Sequence, residues 1–168
     1  MNVSKEILAF AMNMERQGQA FYERFLDQVE HPDAKEWFRV LAQTEKEHYA
    51  ILEKQYNQIT GEGTWTPVDE LKLPDEMNLF HDRQKKENVD PANSSYSLSD
   101  LAVLRMAYLI ENDFAEFYKK AMERVEDPAG KKMLETLHHW EDDHRRLFHD
   151  AYRAAMESNW FQQGFAPF

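Results

Sequence analysis

The amino-acid sequence predicts an all-α protein, an antiparallel four-helix bundle made of two repeated helical hairpins with one long crossover. Three observations support this prediction. The 168 residues include only five glycines and six prolines, and residue types that favour helices are frequent. A shift of 96 residues aligns 8–56 with 104–152 without a gap, and thirteen aligned positions are identical. Short breaks at His31-Pro32 and Asp127-Pro128 then divide each copy into two helices.

The first copy predicts helices at about 4–30 and 32–60, and the second predicts helices at about 98–126 and 128–158. Ser97 or Ser99 is suited to act as the N-cap of the third helix. Because long helices that are joined by such short breaks must pack antiparallel, each copy is predicted to be a helical hairpin.

Residues 61–96 connect the two hairpins and contain several prolines, two glycines and a polar run. This segment is too long for a hairpin turn but suits a crossover along the bundle, and 75–87 is predicted to form a short helix within it. A bundle with a single crossover follows the ferritin-like pattern. We therefore interpret 1–168 as a single ferritin-like domain that ends in an aromatic C-terminal tail at 159–168.

Composition excludes several classes of function. A formal net charge of −11 argues against a nucleic-acid partner, because phosphate binding needs a basic surface. The sequence contains no cysteine, so these residues hold no disulfide, thiolate zinc site, iron–sulfur cluster or rubredoxin-type iron site. The sequence has neither a signal-peptide pattern nor an apolar run long enough to span a membrane, so we expect a cytoplasmic protein without a membrane partner.

Ionisable residues interrupt the apolar face of every predicted helix. The first and third helices each carry one such glutamate, and the second and fourth each carry a Glu-x-x-His motif. In both hairpins the two glutamates are 30 residues apart and lie at similar distances from the break, so they should meet at one level of the bundle. The six residues are Glu15, Glu45, His48, Glu111, Glu141 and His144.

Four buried carboxylates repel one another strongly and need about four compensating positive charges to stay ionised. Two divalent metal ions supply this charge, and so does a diferric pair with one bridging oxide. Mixed carboxylate and imidazole ligands suit iron, manganese or zinc. One glutamate from each of two helices plus Glu-x-x-His from each of the other two is the ligand pattern of di-iron and di-manganese bundles. The sequence therefore predicts a centre of two metal ions, with iron, manganese and zinc as candidates.

Two segments carry a family resemblance. Residues 11–22, with Glu15, Gly18 and the pair Phe21-Tyr22, resemble the first helix of the rubrerythrin branch of the ferritin-like superfamily. Residues 41–48 resemble its second helix. The resemblance implies that Glu15 and Glu111 each ligate one metal, that Glu45 and Glu141 bridge the metals, and that His48 and His144 each ligate one metal.

Two departures from this family bear on function. Rubrerythrins carry a further glutamate one turn after the ligand of the third helix, where this chain has Phe114. The rubredoxin domain that supplies electrons to classical rubrerythrins has no counterpart among these residues.

Tyr22 and Tyr118 lie seven residues after Glu15 and Glu111, on the same helix faces. Each tyrosine either donates a hydrogen bond to a ligating carboxylate or packs in the core with another hydroxyl partner.

The leading functional hypothesis is an oxidoreductase whose di-iron centre reduces hydrogen peroxide or dioxygen with electrons from an external donor protein. One alternative is iron handling, as a ferroxidase or in iron storage or delivery. Another is a non-redox metal-binding bundle. The resemblance and the aromatic tail also lead us to expect a homodimer.

Overall fold

A computed structural model describes residues 3–71, 73 and 96–162, with side chains as far as residue 160. Four helices account for most of this part of the chain. Helix α1 spans Val3–Phe25 and helix α2 spans Pro32–Gly61. Helix α3 spans Leu98–Arg124 and helix α4 spans Pro128–Gln162. The prediction of an all-α ferritin-like bundle is confirmed.

The first helix ends five residues earlier than the sequence predicted, at Phe25 rather than at residue 30. A buried carboxylate from the other hairpin accounts for the difference. Asp100 accepts hydrogen bonds from the backbone N–H of Glu30 at 2.7 Å and from that of His31 at 3.2 Å. These contacts hold the chain extended before α2, whose N-cap is His31 and whose first residue is Pro32.

The fourth helix is longer than predicted, because it continues to Gln162 through the first four residues of the predicted tail. The remainder of that tail, and the short helix predicted at 75–87, lie outside the described residues. The third helix begins one residue after the N-cap Ser97, whose hydroxyl accepts a hydrogen bond from the backbone N–H of Asp100 at 3.1 Å. Asp100 also accepts from the backbone N–H of Ser97 at 3.1 Å, which completes a capping box.

The chain leaves α2 through a turn at Gly63, whose φ of +78° favours glycine. The side-chain amide of Gln55 then exchanges two hydrogen bonds with the backbone of Thr66, at 2.9 and 3.0 Å. A short 3-10 helix follows at Val68–Glu70. The indole of the buried Trp65 packs against Gly130 near the start of α4, so the beginning of the crossover is held against the second hairpin.

Two apolar clusters fill the bundle. Leu8, Leu52 and Leu134 belong to one cluster, and Phe38 and Phe148 belong to the other. Tyr118 is part of the first cluster and Tyr22 is part of the second. In the part of the chain that the structure describes, no helix is long and apolar enough to cross a membrane.

Candidate metal centre

Each helix of the bundle contributes one glutamate to a polar cluster between the two apolar clusters. The glutamates of α2 and α4 are each followed three residues later by a histidine, so both side chains of each motif lie on one helix face. All six side chains are buried, with at most 1% of their surface exposed. The six residues that the sequence predicted are brought together: Glu15, Glu45, His48, Glu111, Glu141 and His144.

Two overlapping groups of potential ligands lie within this cluster, and the candidate ligand atoms of each group lie within 4.8 Å of one another. One group adds Glu15 and His48 to Glu45 and Glu141, and the other adds Glu111 and His144 to the same two glutamates. Glu45 and Glu141 therefore belong to both groups. This sharing fits two neighbouring metal ions.

Both histidines direct the Nδ1 atom of the ring toward carboxylates. His48 Nδ1 lies 3.0 Å from Glu141 Oε1 and 3.3 Å from Glu45 Oε2. His144 Nδ1 lies 3.3 Å from Glu141 Oε2 and 3.5 Å from Glu111 Oε2. Neutral imidazole nitrogens are common metal ligands. Because the two Nδ1 atoms face the carboxylates, they are the ring atoms placed to bind metal ions with them.

Two tyrosines link the hairpins across the cluster. The buried hydroxyl of Tyr22 in α1 donates a hydrogen bond to Glu111 in α3. The buried hydroxyl of Tyr118 in α3 donates to Glu15 in α1. The exchange is reciprocal because α1 and α3 run antiparallel. Each bond occupies one carboxylate oxygen and leaves the other oxygen directed to the cluster.

Burial dominates the electrostatics of the protein without metal. Burial, together with the negative charges of Glu141 and Glu111, raises the pKa of Glu45 well above its usual value. Burial raises the pKa of Glu111 to about 7, despite the opposing effect of the His144 imidazole. Burial also acts to raise the pKa of Glu141, but His48 and His144 together hold that pKa below its usual value. The pKa values of both tyrosines are raised by burial and by the carboxylates, so both hydroxyls remain protonated donors.

The state of the carboxylate oxygens tests whether the residues fit metal ions, and they do. Five buried carboxylate oxygens lack a well-oriented hydrogen bond within the described residues: Glu15 Oε2, Glu45 Oε1, Glu45 Oε2, Glu111 Oε2 and Glu141 Oε1. An imidazole Nδ1 lies 3.0 to 3.6 Å from each of them except Glu45 Oε1. Leaving buried acceptors unsatisfied is costly, and for ionised groups the cost is several kcal/mol each. Hard or borderline cations satisfy such oxygens together with imidazole nitrogens.

Three neighbours of the cluster were not predicted to contribute to it. The ring of Trp140 stacks on that of His48, with centroids 5.1 Å apart and planes 6° from parallel. Phe114 in α3 packs against Gly18 in α1, beside Glu45. The repeat contains a signal for these contacts, because Gly18 is the counterpart of Phe114 and Thr44 is the counterpart of Trp140. The packing at these two positions therefore differs between the two halves.

The bundle and its buried carboxylate–histidine cluster define the class of ferritin-like proteins with a candidate metal site. The sequence profile of the rubrerythrin family matches residues 6–152, and the chain belongs to this family. Among curated proteins, none matches significantly. A solved structure of a hypothetical protein from Pyrococcus furiosus is similar, with a TM-score of 0.65 and 22% sequence identity. The similarity covers 94% of this chain and 91% of that chain, and it supports the fold alone.

Proposed function

We propose that this protein is a di-iron oxidoreductase that reduces hydrogen peroxide or dioxygen with electrons from a separate donor protein. The observation that carries the proposal is the pair of overlapping ligand groups, which share Glu45 and Glu141. Two ions held this closely together match a reaction that delivers two electrons to one small oxidant. Membership of the rubrerythrin family supports the same reading.

In this proposal Glu15 and His48 hold one ion, Glu111 and His144 hold the other, and Glu45 and Glu141 are shared. The four carboxylates balance the four positive charges of two ferrous ions. The bound ions would supply the redox equivalents and polarise an oxygen substrate. Glutamate suits this task because carboxylates remain good ligands for both ferrous and ferric iron.

The surrounding side chains have two tasks. The hydroxyls of Tyr22 and Tyr118 hold Glu111 and Glu15 in place, because each occupies one oxygen of its carboxylate. The apolar clusters on either side of the centre exclude bulk water. Exclusion of water strengthens the electrostatic interactions within the centre and limits side reactions.

Two partners belong to the proposal. The donor would lie outside these 168 residues, because they contain no cysteine for a rubredoxin-type iron site. We also propose a homodimer in the cytoplasm. Analytical ultracentrifugation would test the homodimer, and a monomer at micromolar concentration would contradict that part of the proposal alone.

The proposal is tested by loading the protein with ferrous iron without oxygen and then adding hydrogen peroxide. We expect rapid oxidation of about two irons per chain, followed by many turnovers when a reductant is supplied. The matched control is the Glu45→Ala, Glu141→Ala double variant, which lacks both shared glutamates and should show neither effect.

Other outcomes would support the alternatives. Uptake of many irons per chain with formation of a mineral would identify an iron-handling protein, since such activity consumes iron rather than cycling it. An iron-loaded protein that is inert to both oxidants would identify a metal-binding bundle without redox function. Failure to turn over with every donor tried would refute the proposed reaction.

A further inference from the structure

One aromatic ring fills the space between α1 and α3 beside the candidate metal centre. Phe114 is 6% exposed, and its ring packs on Gly18 of the opposite helix. A Cβ atom at Gly18 would lie 3.1 Å from Phe114 Cε2 and 3.4 Å from Glu45 Cγ. The ring and the side chain of a shared glutamate therefore both adjoin the same point on α1.

The ligands are distributed unevenly around the centre. Helices α2 and α4 supply four of the six groups, whereas α1 and α3 supply one glutamate each. One turn beyond those two glutamates, α1 presents Gly18 and α3 presents Phe114, and neither side chain can donate or accept a hydrogen bond. The side of the centre with the fewest ligands is thus the side that the Phe114 ring adjoins.

We propose that Phe114, seated on Gly18, is the specificity-determining residue of this centre and restricts it to small oxidants such as hydrogen peroxide and dioxygen. Organic hydroperoxides would be excluded because their alkyl or aryl group would occupy the volume of the ring. The inference rests on the proposed function, and it names the substrate class of the same site. Because Gly18 is already in contact with the ring, the ring has no room to withdraw toward α1.

The main test uses anion binding and needs no turnover. The protein is loaded with cobalt(II), and its visible spectrum is titrated with acetate and then with benzoate, which share one binding group but differ in bulk. We expect the wild type to bind benzoate at least about tenfold more weakly than acetate, a difference of about 1.4 kcal/mol. Phe114→Ala should bring the two affinities within about threefold of each other.

Leu134→Ala is the matched control, because it removes a fully buried apolar side chain from another part of the core. It should retain the wild-type preference for acetate. Phe114→Leu is included in case Phe114→Ala does not fold, and it should reduce the preference by an intermediate factor. Equal binding of both anions by the wild type would overturn the proposal. A preference for acetate that is unchanged in Phe114→Ala and Phe114→Leu would also overturn it. So would the absence of anion binding in every variant.

A second test needs no metal and asks whether the ring is fixed. Alanine is favoured over glycine within a helix. A glycine-to-alanine change in a helix therefore raises the melting temperature if the structure has room for the methyl group. With Phe114 present we expect Gly18→Ala to lower the melting temperature, and with Phe114→Ala we expect the same change to raise it. An equal rise in both backgrounds would mean that the Phe114 ring moves aside freely, which contradicts a ring that is held in place.

Activity then distinguishes this inference from the proposed function. If the iron-loaded wild type turns over hydrogen peroxide, Phe114→Ala should gain at least about tenfold in the rate with cumene hydroperoxide relative to that with hydrogen peroxide. If no variant turns over either oxidant but the anion preference changes as expected, the proposed reaction is wrong and the steric role of Phe114 stands. If Phe114→Ala turns over hydrogen peroxide but its preference between the two peroxides is unchanged, the proposed reaction stands and the steric role of Phe114 is refuted.

Discussion

The two hairpins of this protein share their ligands but differ in the side chains around them. Identical residues occupy the repeat-related positions of every glutamate and histidine in the centre, and both tyrosines are also repeated. Some positions beside the ligands are not repeated, and these include Gly18 with Phe114 and Thr44 with Trp140. A third differing pair, Ala34 with Gly130, lies near the starts of α2 and α4.

Packing explains why the neighbours differ. Gly18 and Phe114 face each other, so two phenylalanines would collide there and two glycines would leave a void. A large residue against a small one fills the space once. Ligands have the opposite requirement, since two similar ions need similar donors from both halves. Repeat symmetry is therefore kept at the ligands and lost where Gly18 and Phe114 share one space.

The largest effect should come from removing a carboxylate that both ligand groups share. Glu45→Gln should abolish stoichiometric binding at both metal positions, because the neutral amide removes a charge from each group. Glu15→Gln belongs to one group only and should lose about one metal per chain. Elemental analysis after loading and gel filtration measures both, and Glu53→Gln on the exposed face of α2 is the control. Equal losses from both variants would contradict the sharing of Glu45.

The hydroxyls should have smaller and equal effects. Tyr22→Phe and Tyr118→Phe each remove a donor to one carboxylate of the centre, and groups in this position typically change metal affinity by about 10–100-fold. Because the two bonds are repeat-related, we expect the two losses to agree within about threefold. Competition with a chelator measures the affinity, and Tyr56→Phe, a partly buried tyrosine outside the ligand cluster, is the control. A much larger loss at one tyrosine would show that the halves are chemically unequal.

Acidity provides a third comparison, between the metal-free and the metal-loaded protein. The folded-state pKa of Glu111 is about 7 against a usual value of 4.5, so between these pH values the folded state binds more protons than the unfolded state. The free energy of unfolding of the metal-free protein should therefore fall as the pH rises from about 4.5 to 7, by about 3 kcal/mol from this group. The raised pKa of Glu45 in the folded protein changes the free energy of unfolding in the same direction.

Metal ions should reverse that trend, because they bind the deprotonated carboxylates and compete with protons. Urea unfolding at pH 5 and pH 7.5, with and without metal, measures both slopes. Glu111→Gln should weaken the pH dependence of the metal-free protein. A metal-free protein whose stability rises across this range would indicate that the buried carboxylates are compensated by other groups.

Much of this architecture could be predicted from the sequence, because the repeat, the two proline breaks and the glutamates on apolar faces can all be read without knowing which side chains meet. The end of α1 could not, since it depends on Asp100, which lies 70 residues away from Glu30 and caps that backbone from the other hairpin. The seat of Phe114 on Gly18 was also missed. A phenylalanine on an apolar face looks like ordinary core until the opposing helix is known to present a glycine.

The smallest predicted effect concerns the third unmatched pair, Ala34 and Gly130. A Cβ atom at Gly130 would lie 2.6 Å from Trp65 Cε2 and 2.8 Å from Val125 Cγ1, so Gly130→Ala must displace the indole. Overpacking costs about 1–3 kcal/mol, and the better helix propensity of alanine returns about 1 kcal/mol. We therefore expect a net loss of up to about 2 kcal/mol in the free energy of unfolding.

Trp65→Ala supplies the control for this prediction, because it removes the ring that the new methyl group would meet. In that background Gly130→Ala should cost at least about 1 kcal/mol less, which urea unfolding of the four proteins measures as a coupling energy. Ala34 shows that the first hairpin accommodates a methyl group at the equivalent buried position. An additive pair of substitutions would mean that the crossover does not rest on Gly130. Glycine at position 130 would then not be needed for the packing of Trp65 on the second hairpin.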